Sequence, residues 1–339
     1  FWDIAPRLLT CGIWKDVRLE SYESAVIRDV YLSHTSKEDS ADIKFEVELE
    51  SFQDGKEYSL SAEVKDESGK STASMTIPTL EKGKHCMELS VHLDSVKLWW
   101  PNGVGEPHLY QVKVVLHQGV SAELSSKSLR YGIRDIQLEQ KGINSKESTF
   151  TFLVNGKRVY MKGGDWVPED SIYARITKES TYDLVKLAHD GNYNMFRVWG
   201  GGIYPSDAFY DACDELGILV WQDFMFACGY YPDFDSEFYE EVSREVECVI
   251  RKYRNHAAVG LWCGNNENMQ MFDEMQIQMN DTIHYGLKIY EEIIPNALKK
   301  LDPNNLYWPS SPFGGEDANS SCRGDQPVSY THLTLPTIA

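Results

Sequence analysis

The chain has 339 residues, 42% of them apolar and 25% charged, the balance of an ordinary globular protein with material for two or three packed domains. Its formal charge of −19 argues against nucleic acid or an anionic membrane as partner, because both are bound through clustered Lys and Arg. No stretch reaches the about 18 apolar residues of a membrane helix, so a soluble chain is expected, and a neutral polar ligand stays compatible. The seven cysteines (Cys11, Cys86, Cys213, Cys228, Cys248, Cys263 and Cys322) are odd in number and irregularly spaced. With no Cys-x-x-Cys and no His pair at ligand spacing there is no sign of a metal site; several of them lie in apolar stretches and read as buried thiols, and they lean toward a reducing, cytoplasmic compartment. No leader peptide is visible, and the opening Phe1-Trp2-Asp3 reads as already inside a domain.

Residues 1–21 read as the end of a β domain, with Val17-Arg18-Leu19-Glu20 alternating at period two. From 22 to 137 the pattern is all strand. Ile43 to Leu49 alternates strictly, Tyr58 to Val64 does so again and runs into a turn at Asp66-Glu67-Ser68-Gly69, and Gln111 to Leu116 gives another strand. Short strands with turn signals about every ten residues predict a β-sandwich. After about 138, strands alternate with helices, which predicts a parallel α/β sheet or barrel. The candidate strands are Val159 to Gly163, Met195 to Trp199, Ile218 to Asp223, Val259 to Cys263 and Leu306 to Trp308. One helix is expected to stop at Gly217, and another carries Phe238, Val242, Val246, Val249 and Tyr253 on one face. Five strands are too few to close an eight-stranded barrel.

Polar groups gather at the C-terminal ends of these strands, where parallel barrels carry their chemistry. The first leads into Gly164-Asp165-Trp166, and the second ends in Arg197-Val198-Trp199 followed by three glycines. The third ends at Asp223, and the fourth runs into Gly264-Asn265-Asn266-Glu267. Indoles that pack on a sugar's C–H face, beside carboxylates and amides for its hydroxyls, make a carbohydrate pocket. Each residue has a plainer reading. Arg197 suits an ion pair with Asp165 or Asp223, Trp166 and Trp199 suit the core, and Glu267 suits a first helical turn. Gly200-Gly201-Gly202 is not a phosphate loop, since no Lys-Ser/Thr follows.

Several segments then resemble one family. Arg197 to Tyr204, Asp214 to Ile218, Val220 to Cys228 and Leu261 to Glu267 are similar to the barrel of β-mannosidases of glycoside hydrolase family 2. Trp2-Asp3 with Thr10 to Val17 resembles the end of that family's N-terminal sugar-binding β domain. Leu98 to Gly103 with Pro107 to Tyr110 resembles its sandwich, and Lys162 to Asp170 its first barrel strand. The resemblance implies a multidomain β plus α/β protein. Residues 1–21 would end the first domain, 22–137 would form an immunoglobulin-like sandwich, and 138–326 the first part of a catalytic TIM barrel.

It implies a retaining hydrolase of terminal β-mannosides or mannooligosaccharides, with no cofactor and no metal. Glu267 would be the general acid/base and Asn266 the partner of the sugar 2-hydroxyl. Asp3, Trp166, Arg197, Trp199 and Asp223 would line the pocket, although Ile4-Ala5 stands where the family often has Trp-Gly. The nucleophile would lie on a later strand, beyond this chain. Residues 327–339 carry no charged side chain and resemble translated vector, an expected non-native tail. A family 2 hydrolase of another sugar, and a carbohydrate-binding protein without turnover, remain open.

Overall fold

The structure, a computed structural model, describes residues 8, 11–37, 39–119, 122–144, 147–279, 284–315, 318, 320 and 322–325. Asp3 and the 327–339 tail lie outside them.

Seven long strands form the sandwich: β1 (Ala25–Lys37), β2 (Ser40–Ser51), β3 (Lys56–Asp66), β4 (Gly69–Leu80), β5 (Gly83–Leu93), β6 (Tyr110–Gln118) and β7 (Ala122–Tyr131). They pair antiparallel in two sheets, β1-β2-β5 and β4-β3-β6-β7. Because side chains alternate across a strand, Ile43, Phe45, Val47 and Leu49 of β2 meet Leu60, Ala62 and Val64 of β3 in one buried core. The Asp66 turn forms as expected, its Oδ1 accepting the Ser68 and Gly69 amides. Val17–Glu20 does not form the expected strand. Leu19 is fully exposed and has no strand to pair with among the described residues, and alternation without a neighbouring ladder does not fix a strand.

A small antiparallel sheet follows, β8 (Ile136–Glu139), β9 (Thr151–Val154) and β10 (Lys157–Val159). Then come five parallel strands in sequential order: β11 (Gly163–Trp166), β12 (Met195–Val198), β13 (Leu219–Asp223), β14 (Val259–Cys263) and β15 (Leu306–Trp308). Four of these match expectation and the first does not. Val159 ends a hairpin, paired with Phe152, and the parallel strand starts at Gly163. At Gly163 the chains lie so close that a Cβ would sit 1.6 Å from the Met195 carbonyl oxygen, so a residue of poor strand propensity begins the strand.

The helices between the strands are α1 (Lys178–Asp190), α2 (Asp207–Leu216), α3 (Ser236–Tyr253), α4 (Asn268–Met279) and α5 (Ile294–Leu301). Thr177 and Ser180 make a reciprocal capping box for α1, and Asp235 caps α3 through the Glu237 and Phe238 amides. α2 stops at Gly217, in the left-handed conformation, as its sequence predicts. Val242, Val246, Val249 and Tyr253 of α3 are buried, while Phe238 is only partly so. Cys213 and Cys263 are the buried thiols, and Cys11, Cys86, Cys248 and Cys322 are exposed.

The parallel sheet has two apolar faces. One packs on the helices through Phe196, Val198, Val220 and Trp262. The other holds Met195, Leu219, Trp221 and Leu261 against Phe152 and Val159 of the small sheet. The sandwich grips the N-terminal end of these strands. Trp99 Nε1 donates to the Asp214 carbonyl at 2.8 Å, Arg134 Nε donates to that of Ala257 at 2.9 Å, and Arg254 pairs with Asp29 at 2.6 Å. No helix among the described residues is long and apolar enough to cross a membrane.

Candidate active site

At the C-terminal end, Arg197 is the hub. Its place between Phe196 and Val198, which face the helices, turns it to the other face of the sheet. One nitrogen, Nη2, donates to Asp223 Oδ2 and to Asn266 Oδ1, each at 2.8 Å, and Nη1 lies 3.7 Å from Asp165. Asp223 is fully buried. Its Oδ2 also accepts the Gly200 amide at 3.0 Å, and its Oδ1 accepts Trp221 Nε1 at 3.1 Å. Burial pushes its carboxyl up to about 6, although Arg197 pulls the other way. For Arg197 burial opposes the charge, but Asp223 and Asp165 outweigh it and hold the proton more firmly. The two tendencies conflict over one contact. The 2.8 Å geometry favours an ion pair above about pH 6.

Asn266 extends the sheet by single bridges to Ala227 and Ser311. Its amide N–H donates to Phe226, and the Cys228 amide returns to its carbonyl. Glu267 follows in the left-handed region, φ 62°, with its amide donating to the Ser311 carbonyl at 2.9 Å. A non-glycine residue held there is backbone strain of the kind that gathers at functional sites. The Cys228 thiol, also at positive φ, lies 3.3 Å from Glu267 Oε2. Burial, then the Glu267 carboxylate, push that thiol up to about 11.

Arg197, Asp223, Asn266 and Glu267 are therefore brought together, with Asp165 at the edge. The Trp199 ring lies over Gly201, where a Cβ would come within 2.3 Å of it. Trp166 is a correction. It is in register with Val198, and its ring rests on Phe196 and Phe209 at 5.0 and 4.5 Å, on the helix side of the sheet. With the strand starting at Gly163, the alternation places Asp165 toward Arg197 and Trp166 away from it. For Asp223 the geometry is that of the ion pair with Arg197, one of the two readings its sequence position allows: protein donors reach both its oxygens, so it orients Arg197 and Gly200. Sequence reading missed Cys228 as a neighbour of Glu267. Asp325 Oδ1 accepts Trp308 Nε1 at 2.6 Å and the Phe313 amide at 3.0 Å, which ties it to the segment that follows β15. The distance of Cys228 from Glu267 in the chain gave no signal.

A possible cation cluster sits elsewhere, where Asp211, Asp214 and His256 bring one ligand atom each within 4.8 Å of one another. It lies at the N-terminal end of the strands. Arg130 already pairs with Asp211 at 2.8 Å, and His256 with Asp214 at 2.7 Å.

Residues 25–134 match the family model Glycosyl hydrolases family 2. The chain is 37% identical to beta-mannosidase B of Thermothelomyces thermophilus over 96% of its own length, and 35% identical to beta-mannosidase B of Emericella nidulans over 92%. In each case it spans 38% of the relative's length. It is also similar to the crystal structure of beta-D-mannosidase from Dictyoglomus thermophilum, with a TM-score of 0.88 and 37% identity, covering 96% of this chain and 40% of that one. A Bacteroides uniformis beta-glucuronidase, at 18% identity and a TM-score of 0.70, shares the fold alone.

Proposed function

We propose that this chain is the N-proximal part of the catalytic unit of a retaining glycoside hydrolase that removes terminal β-mannose, with Glu267 as general acid/base. The observation that carries this is Glu267 itself, held in a strained backbone just after β14 beside Asn266, in a chain that is similar to beta-mannosidases over 96% of its own length. The five parallel strands read as the first part of a (β/α)₈ barrel, after an immunoglobulin-like sandwich over 22–137. Residues 1–21 read as the end of a sugar-binding domain from which Asp3 would reach the pocket.

In this reading Glu267 protonates the glycosidic oxygen as the bond to the leaving group breaks, then takes a proton from the water that releases the sugar. A second carboxylate about 5 to 5.5 Å away attacks the anomeric carbon in the first step. The buried carboxylates Asp223 and Asp325 are poor candidates, since both accept hydrogen bonds from the protein on each oxygen. The nucleophile is placed on a later strand beyond residue 339. Asn266 takes the 2-hydroxyl, Arg197 fixes Asn266, and Trp199 supplies the apolar wall. No cofactor enters the scheme.

The test is a panel of 4-nitrophenyl β-glycosides offered to a full-length protein that carries this chain. Preference for the mannoside by at least tenfold in kcat/KM supports the proposal. Preference for a glucoside, galactoside or glucuronide would assign another hydrolase of the family, and saturable mannose binding without turnover would make it a binding protein.

A further inference from the structure

The Cys228 sulfur sits between Asn266 and Glu267, with a polar neighbour on each side. Asn266 Nδ2 lies 3.6 Å from it as a donor, and its own S–H reaches Glu267 Oε2 at 3.3 Å. The competing acceptor, the Asn266 carbonyl, is farther away at 3.9 Å. A cysteine that only filled space would sit among apolar side chains, as a small hydrophobe does. The loop that carries this sulfur is fastened to the segment that carries the carboxylate. Ala227 bridges Asn266, the Cys228 amide donates to the Asn266 carbonyl at 3.0 Å, and Asn268 Nδ2 donates to the Gly229 carbonyl at 2.7 Å. The Ala227 amide in turn donates to the Tyr231 hydroxyl at 2.9 Å, which closes the turn.

The hydrogen bonds run in one direction. Arg197 Nη2 donates to Asn266 Oδ1 at 2.8 Å, which leaves the Asn266 amide nitrogen turned to the sulfur. The sulfur accepts there and donates onward to Glu267, and each bond in such a chain polarises the next. Burial, then the Glu267 carboxylate, push the thiol up to about 11, so it keeps its proton well past neutral pH and stays a donor. A Glu carboxyl otherwise turns freely about its last torsion, which is broad and two-fold, and offers either oxygen. In the acid form the carbonyl oxygen is the better acceptor, so a donor on Oε2 leaves the proton on Oε1.

We propose that Cys228 is a positioning residue for Glu267: its S–H holds Oε2, and Oε1 becomes the oxygen that gives the proton to the leaving group and takes one back from water. This rests on Glu267 being the acid/base. No bond to sulfur forms or breaks, so the thiol acts only through the orientation of the carboxyl. Its loss therefore falls on proton transfer, and substrates that need no acid escape it.

The experiment measures kcat/KM for phenyl β-mannoside, a poor leaving group, and for 2,4-dinitrophenyl β-mannoside, which leaves without an acid. It uses a full-length protein that carries this chain, with Cys228→Ala, Cys228→Ser and Glu267→Ala beside the wild type. In Cys228→Ala the ratio of phenyl to dinitrophenyl substrate should fall roughly tenfold, the weight of one hydrogen bond to a charged group. Cys228→Ser, which keeps a donor, should recover most of that ratio. A second readout keeps Cys228 itself in place: in the infrared, one S–H stretching band should move to higher frequency in Glu267→Ala, as the thiol loses its acceptor. A packing role lowers both substrates together, and that result overturns the proposal, as does a Ser variant as impaired as Ala or an unmoved S–H band. An unchanged ratio in Cys228→Ala, with the leaving-group effect present in Glu267→Ala, removes the positioning role and leaves the acid/base reading standing. Equal losses on both substrates in Glu267→Ala overturn that reading and the positioning role with it.

Discussion

The guanidinium of Arg197 uses one nitrogen to hold both Asp223 and Asn266, donating to Oδ2 of the first and Oδ1 of the second at 2.8 Å. An Asp from β13 thereby fixes the amide that stands next to Glu267 after β14. Removing the Asp strands a guanidinium whose side chain is only 13% exposed. Asp223→Ala should therefore cost about 3–5 kcal/mol, the usual penalty for breaking a buried pair from one side. Urea unfolding measures it, and a loss below about 1 kcal/mol would show that water takes the place of the carboxylate.

The same carboxylate gives a pH dependence. Its folded pKa of about 6 lies above the ordinary aspartate value, so the folded state holds the proton more tightly than the unfolded one. Stability from this group is full below about pH 4 and is lost as pH rises through about 6. Over that window the wild type should fall in stability relative to Asp223→Asn. Melting curves at half-unit pH steps would show parallel lines if Asp223 were ionised throughout.

The two indoles should separate. Trp166 packs on Phe196 and Phe209, so Trp166→Ala should lower stability by about 3 kcal/mol, the low end for a large ring that is only partly buried. Its KM for substrate should barely move at temperatures where the variant stays folded. Trp199→Ala should do the reverse, raising KM roughly tenfold with less than about 1 kcal/mol lost. Steady-state kinetics beside thermal melts distinguish the pair, and a large KM effect at Trp166 would return it to the pocket.

Much of this was legible because buried parallel strands read as short apolar runs. Val259 to Cys263 and Leu219 to Asp223 have no exposed residue at all, and helix caps such as Gly217 mark where each unit turns back. The first strand was not legible. Its Gly163-Gly164 start answers to a backbone approach that only the folded neighbour Met195 reveals. The register of that strand sorts Asp165 and Trp166 to opposite faces, which the resemblance alone could not supply. For Asp223 the sequence left an ion pair with Arg197 and a pocket role side by side, since it shows a carboxylate and not the donors that reach it. The contact between Cys228 and Glu267 depends on two loops meeting, which no local pattern encodes.

The parallel sheet has β11 and β15 as its edges, and neither pairs onward among the described residues. Near β11, Tyr160 is 84% exposed and Leu187 of α1 70%. Residues 1–339 expressed alone should self-associate at micromolar concentration, because open edges and uncovered apolar faces recruit other chains. Light scattering with a thermal melt checks this. A monodisperse chain with one cooperative transition would mean that these edges are covered within the chain.

The most direct measurement is the leaving-group dependence of Glu267→Ala in the full-length protein, with azide added. An acid/base variant should lose little on an activated aryl β-mannoside in the first step and at least about a hundredfold on a poor leaving group, the range for a positioned proton donor. Azide should then restore turnover of the activated substrate and yield β-mannosyl azide with retained configuration. Equal losses on both substrates, with no azide product, would contradict the assignment of Glu267.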